Sequence, residues 1–274
     1  MIEDRSGKID YDESGSGPTV VLVPGSCSTG AAWKPVIAAL QGYRCVTTSV
    51  LGYGGTAERR TSEDPSIMYE ADAIEAVIRK ADSQVHLVGH SFGGLVALAV
   101  ALRGRASLLS LTILEAPAAE ILRGENDRHY QDFRDMTDEY FAAFHAGDKE
   151  AIAEMIDFYG GRDTFSSWPP RVRAYAVETT PVNILDWASA YGFPLSATLL
   201  AEIKIPCLVV WGGKSQPAVQ CANALLSKCI IDAKGTAIEG AAHFMIATHP
   251  REVAACIADH ALTATRQETI RVSS

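Results

Sequence analysis

The sequence predicts an α/β fold: a mostly parallel sheet with helices on both faces and a helical cap inserted between two strands. Three observations carry that expectation. Short apolar runs alternate with helix-spaced segments through residue 114, the alternation lapses over 117–202, and it resumes at 206. The third is a strand-like run at 85–88 that ends in Gly89-His90-Ser91-Phe92-Gly93 just before an apolar helical stretch. Strands that alternate with helices pair in parallel through right-handed crossovers, which puts a site at their carboxyl ends.

The elements follow in order. Residues 8–13 read as a strand, and Ser14-Gly15-Ser16-Gly17-Pro18 as a hairpin turn into the apolar strand Thr19-Val20-Val21-Leu22-Val23. A helix is expected over 31–40 and a strand over 44–50. Ile67, Ala71, Ile74, Val77 and Ile78 stand at helical spacing in 66–81, before the strand at 85–88. A buried helix over 95–102 and a strand over 108–114 come next. The cap expected over 117–202 holds helical stretches at 130–145, 149–159 and 171–177. Strand 206–211, helix 218–227, strand 236–239 and helix 250–263 then complete the core, assigned to 1–116 and 203–265. A polar, flexible tail is expected over 266–274.

Composition narrows the function. With 274 residues, 47% of them hydrophobic, the chain can fill a sizeable core. A net charge of -9 argues against a nucleic-acid partner, because a phosphate backbone would be repelled. A small uncharged or cationic ligand fits better. No stretch offers the roughly 18 apolar residues of a membrane span, and the charged start Met1-Ile2-Glu3-Asp4-Arg5 has no secretory pattern. The six cysteines, at 27, 45, 207, 221, 229 and 256, form no Cys-x-x-Cys pair, so reduced thiols in a cytoplasmic protein are expected and metal binding is not. No organic cofactor is called for. The oligomeric state stays open between monomer and homodimer.

The centre of the functional reading is Ser91. In a Gly-x-Ser-x-Gly turn the chain reverses so sharply from strand to helix that the serine is held strained, with its hydroxyl above the sheet. Gly89 and Gly93 supply the room. His243, in Gly240-Ala241-Ala242-His243-Phe244 after the last strand, is the best general base among the seven histidines.

These landmarks, with Val23-Pro24-Gly25-Ser26 ahead of Trp33 and Gly52-Tyr53-Gly54 after the next strand, resemble the α/β-hydrolase superfamily over about residues 8–263. The resemblance implies an eight-stranded type of sheet and a Ser-acid-His triad. It also implies an oxyanion hole built from the backbone N–H groups of Ser26 and Phe92, with Cys27 as an alternative to Ser26 by a shift of one residue.

The chain departs from the family pattern at the acid. The usual aspartate turn reads Gly212-Gly213-Lys214-Ser215 here, and a serine cannot balance an imidazolium. Glu115, at the end of the strand after the elbow helix, keeps the order serine, acid, histidine and is the favoured acid. Asp186, Asp232 and Glu239 remain alternatives, with Glu115 then a structural carboxylate. Cys27, His90 and Trp187 are candidate substrate contacts, and the many aromatic residues of 117–202 suggest an apolar roof.

The resulting expectation is a serine hydrolase that cleaves a small, largely apolar ester, thioester or lactone. C–C bond hydrolysis or cofactor-free perhydrolysis could use the same triad. A ligand sensor with little turnover is the alternative that the missing aspartate invites.

Overall fold

A computed structural model describes residues 1–4 and 7–273, without the side chains of residues 4 and 271–273. Its strands are β1 (Ile2–Asp4), β2 (Gly7–Ile9), β3 (Asp12–Gly15), β4 (Thr19–Val23), β5 (Arg44–Thr47), β6 (Val85–His90), β7 (Leu108–Leu114), β8 (Cys207–Gly212) and β9 (Ala233–Ile238). The helices are α1 (Lys34–Ala39), α2 (Met68–Ala81), α3 (Phe92–Arg103), α4 (Asp127–His145), α5 (Ile152–Gly160), α6 (Thr164–Ser167), α7 (Pro170–Glu178), α8 (Thr180–Tyr191), α9 (Ala197–Leu200), α10 (Pro217–Cys229), α11 (Met245–Thr248) and α12 (Pro250–Ser273).

Among the described residues the main sheet has seven strands in the order β3-β5-β4-β6-β7-β8-β9, parallel except where β3 meets β5. That is one fewer than the eight-stranded type, because the N-terminal run is divided. β2 pairs with β1 in a separate antiparallel ribbon, and β3 alone joins the sheet. The expected hairpin of 8–13 with β4 does not form. β4 is a fully buried central strand whose two edges are already taken by β5 and β6, so β3 pairs with β5 instead.

Side-chain alternation splits the interior into two layers. Val21, Val23, Leu87, Leu111 and Ile113 face one side of the sheet with α2, α3 and α10, whereas Val20, Leu22, Val88, Leu114 and Val210 face the other with α1 and α12. Helix α3 is buried along most of its length, which explains its uninterrupted apolar sequence. Between β7 and β8 the described residues form only helices. Three of them, α6, α8 and α9, lie outside the helical stretches singled out in the sequence. At the other end, the tail expected from residue 266 is instead a continuation of α12 through Ser273, and Ser274 lies outside the described residues. No glycine or proline follows Pro250, so nothing in the chain stops that helix. No described helix is long and apolar enough to cross a membrane.

Candidate active site

Ser91 sits between β6 and α3 with φ 54° and ψ −128°, a conformation that a side chain tolerates only under constraint. The constraint comes from close packing. A Cβ on Gly89 would overlap the Gly93 carbonyl, one on Gly93 would overlap the carbonyls of Val23 and Pro24, and one on Gly25 would fall 2.7 Å from the Ser91 Cβ. The Ser91 N–H donates to the Leu114 carbonyl at 2.9 Å, pinning the turn to the neighbouring strand. The hydroxyl is thereby held at the carboxyl edge of the sheet.

His243 reaches it from the loop after β9. Its Nε2 lies 2.9 Å from Ser91 Oγ and its Nδ1 lies 2.6 Å from Glu115 Oε2. The loop itself is tied down, because the His243 carbonyl accepts a hydrogen bond from His90 Nε2 at 2.8 Å. Aromatic neighbours enclose the ring: Tyr159 at 4.1 Å, His90 at 5.0 Å and Phe244 at 5.3 Å between centroids. Burial, and then the adjacent His243, lower the His90 pKa to about 3, so that ring is neutral.

Glu115 is fully buried at the end of β7, itself at φ 51°. One oxygen faces His243; the other accepts from Gly212 N–H at 2.7 Å and from Ser215 Oγ at 2.5 Å. Burial alone would raise its pKa, but the hydrogen bonds from His243, Ser215 and Gly212, with the charge attraction of His243, outweigh it and hold the carboxyl below its ordinary value. Ser215, at the position where the family pattern has its aspartate, thus donates to the carboxylate carried by the preceding strand. Asp186 lies elsewhere, in a buried cluster with Ser26, Tyr53 and Arg60, and neither Asp232 nor Glu239 hydrogen-bonds His243.

The loop after β4 brings Ser26 and Cys27 to the same cavity. Ser26 Oγ donates to Asp186 Oδ2 at 2.5 Å, and Asp186 also accepts from the Tyr53 hydroxyl at 2.7 Å. Asp186 Oδ1 lies 2.8 Å from Arg60 Nη1, and Arg60 in turn pairs with Glu58 and Glu70. Cys27 adopts φ 56°, and burial followed by the charge on Asp186 pushes its thiol up to about 12. Phe92 places its N–H in the first turn of α3, where helical geometry offers no internal acceptor.

Two spaces meet at Ser91. An inner chamber of about 40 Å³ is lined by Phe92, Met155, Ile156, Tyr159, Asn183 and Trp187, among others. A wider outer groove of about 370 Å³ runs past Ser28, Ala32, His90, Val172, Ile246 and Ala247. Ser26, Cys27, Ser91, Trp168, His243 and Phe244 border both. Trp187 is therefore at the site, on α8 and packed against Tyr159 and Tyr191. The sequence reading missed the partners beside it, Asn183 and the ionic cluster of Asp186. Asp186 was weighed only as a partner for His243, and the signal that it belonged elsewhere, an arginine far off in the chain, has no local pattern.

A strained nucleophile elbow at the carboxyl edge of a parallel sheet is the mark of an α/β hydrolase. Residues 20–256 match the model of the alpha/beta hydrolase family, and the chain belongs to that family. Among curated proteins it is similar to a pimeloyl-acyl-carrier-protein methyl ester esterase of Aeromonas salmonicida, 25% identical over 260 residues that cover 89% of this chain and 95% of the relative. Among solved structures it is similar to an esterase from Exiguobacterium antarcticum, with a TM-score of 0.72, 18% identity and coverage of 95% of this chain and 98% of that one. A bromoperoxidase from Bacillus anthracis gives the same TM-score of 0.72 at 20% identity, covering 92% and 94%. At such identities the two structural likenesses establish the fold alone.

Proposed function

We propose that this protein is a serine hydrolase that cleaves a small, largely apolar carboxylic ester, thioester or lactone through an acyl-enzyme on Ser91. The observation that carries the reading is the continuous relay from Ser91 Oγ to His243 Nε2 at 2.9 Å and from His243 Nδ1 to Glu115 Oε2 at 2.6 Å. In this reading the Ser91 hydroxyl attacks the acyl carbon while its proton passes to Nε2. Glu115 keeps the Nδ1–H tautomer and stabilises the imidazolium. The tetrahedral oxyanion then collapses, the leaving alcohol or thiol takes the proton from Nε2, and a water activated by the same nitrogen hydrolyses the acyl-enzyme.

The N–H groups of Ser26 and Phe92 are the proposed oxyanion donors. In support, neither donates to a backbone acceptor outside regular helices and strands among the described residues. Cys27 is the alternative to Ser26 as the first donor. The inner chamber would take the acyl group, and the outer groove, bordered by the residues that follow His243, the leaving group. With Glu115 bonded to His243, the serine at 215 no longer argues for a sensor without turnover.

Fluorophosphonate labelling and a panel of p-nitrophenyl esters test the reading. The wild-type protein is expected to label at Ser91 and to turn over short-chain esters; Ser91→Ala is expected to do neither. A wild-type protein inert in both assays refutes it.

A further inference from the structure

The loop after β4, which carries Ser26, is gripped from the helical segment between β7 and β8. The Ser26 hydroxyl donates to Asp186 Oδ2 at 2.5 Å, and Asp186 stands on α8, 160 positions further along the chain. The same loop lies directly against the nucleophile, since a Cβ on Gly25 would fall 2.7 Å from the Ser91 Cβ. A shift of the loop is therefore a shift of its N–H groups relative to Ser91.

Asp186 is itself fixed. It is 2% exposed, and the Tyr53 hydroxyl donates to its Oδ2 at 2.7 Å while Arg60 Nη1 lies 2.8 Å from Oδ1. Arg60 is held in turn by Glu58 and Glu70, and its Nη1 donates to the Ser189 hydroxyl of α8 at 3.3 Å. Its guanidinium carbon lies 5.6 Å from the centroid of the Phe92 ring. One buried cluster thus touches both residues whose N–H groups are the proposed oxyanion donors. A buried ion pair adds little stability over a well-packed apolar replacement. Oxyanion donors, by contrast, work only when held within about 0.5 Å of their productive place before charge develops.

Resting on the hydrolase reading above, we propose that Asp186 is a positioning residue for the oxyanion hole: by holding the Ser26 hydroxyl it fixes the loop whose N–H meets the oxyanion. It acts through Ser26, not on the reacting atoms. Arg60 balances the carboxylate, which lessens its repulsion of the negative charge that forms on the substrate.

The test measures kcat and KM on p-nitrophenyl butyrate, with kcat expressed per Ser91 labelled by fluorophosphonate. Ser26→Ala removes the hydroxyl and keeps the N–H; it is expected to lower kcat and kcat/KM together by about ten- to hundredfold, with KM within about threefold. Asp186→Leu is expected to do the same. The double variant should be no more than about threefold slower than the slower single, because both changes break one bond. Damage to the fold alone would lower the labelled fraction and leave kcat per labelled site unchanged. If Asp186→Leu does not fold, Ser26→Ala decides. An active wild type with kcat within about threefold in Ser26→Ala, or in a folded Asp186→Leu, overturns the positioning role and leaves the hydrolase reading standing. Losses that multiply in the double variant give the two residues separate roles and overturn it as well. A wild type that neither labels nor turns over the ester overturns both readings together.

Discussion

Glu115→Gln is the sharpest probe of the proposed relay, because the geometry dictates which way the new amide must face. In the native protein Oε1 receives two donors, Gly212 N–H at 2.7 Å and the Ser215 hydroxyl at 2.5 Å, while Oε2 receives one, His243 Nδ1, at 2.6 Å. The Gly212 N–H can only donate. A glutamine therefore keeps its carbonyl oxygen toward Gly212 and Ser215 and turns its NH₂ group toward His243. That NH₂ needs an acceptor, so Nδ1 loses its proton, Nε2 gains one, and the nitrogen facing Ser91 can no longer act as a base. The corresponding change in a serine-protease triad costs about 10⁴ in kcat, which is about 5.4 kcal/mol of barrier. A loss of that order in kcat on p-nitrophenyl butyrate, with circular dichroism unchanged and Tm within a few degrees of wild type, is expected. A folded Glu115→Gln enzyme that keeps more than about a tenth of wild-type kcat refutes the assignment of Glu115 as the acid.

Three further outcomes follow from the same geometry. Ser215→Ala removes one of the donors that hold Glu115 anionic, so its carboxyl pKa should rise, the acid limb of the pH–rate profile should move upward, and kcat/KM should fall by about tenfold. Gly93→Ala drives a methyl into the Val23 and Pro24 carbonyls; a loss of about 3 kcal/mol or more, read as a Tm lower by about 6–12 °C, is expected. Glu70 is pushed up to about 8, chiefly by burial against the opposing pull of Arg60. Its folded pKa then exceeds the unfolded one, so the folded state holds a proton that the unfolded chain has released; stability is full below the ordinary carboxylate range and falls as pH rises toward 8, by no more than about 1.4 kcal/mol per unit. Glu70→Gln should flatten that decline in chemical denaturation between pH 5 and 8, and an unchanged slope would place the proton elsewhere.

What could be read from the chain was what is local. The elbow at Ser91 is legible because its glycines stand at fixed spacing between a strand and a helix, and His243 because its place after the last strand resembles that of the family's catalytic histidine. Glu115 was reached by asking which strand end could replace the missing aspartate, and the structure brings it to His243. Helix α8 was not legible. Its buried face, Thr180, Asn183, Asp186, Trp187 and Ala190, is largely polar, so it has no apolar stripe to mark it. The pairing of β3 with β5 was missed for a similar reason: a turn-rich linker signals a reversal, not which edge is vacant. The cluster of Arg60 with Asp186 joins segments that only the folded chain brings together.

That cluster sets a condition on how a substrate arrives. Swinging α8 away from the sheet would take Asp186 from a guanidinium that has no exposed side-chain surface, leaving Glu58 and Glu70 as its only acidic partners among the described residues. The ion pair thus ties α8 to the loop that carries Arg60. In the proposed hydrolase, the outer groove beside Phe244 and Val172 would then be the way in, with no movement of α8 required.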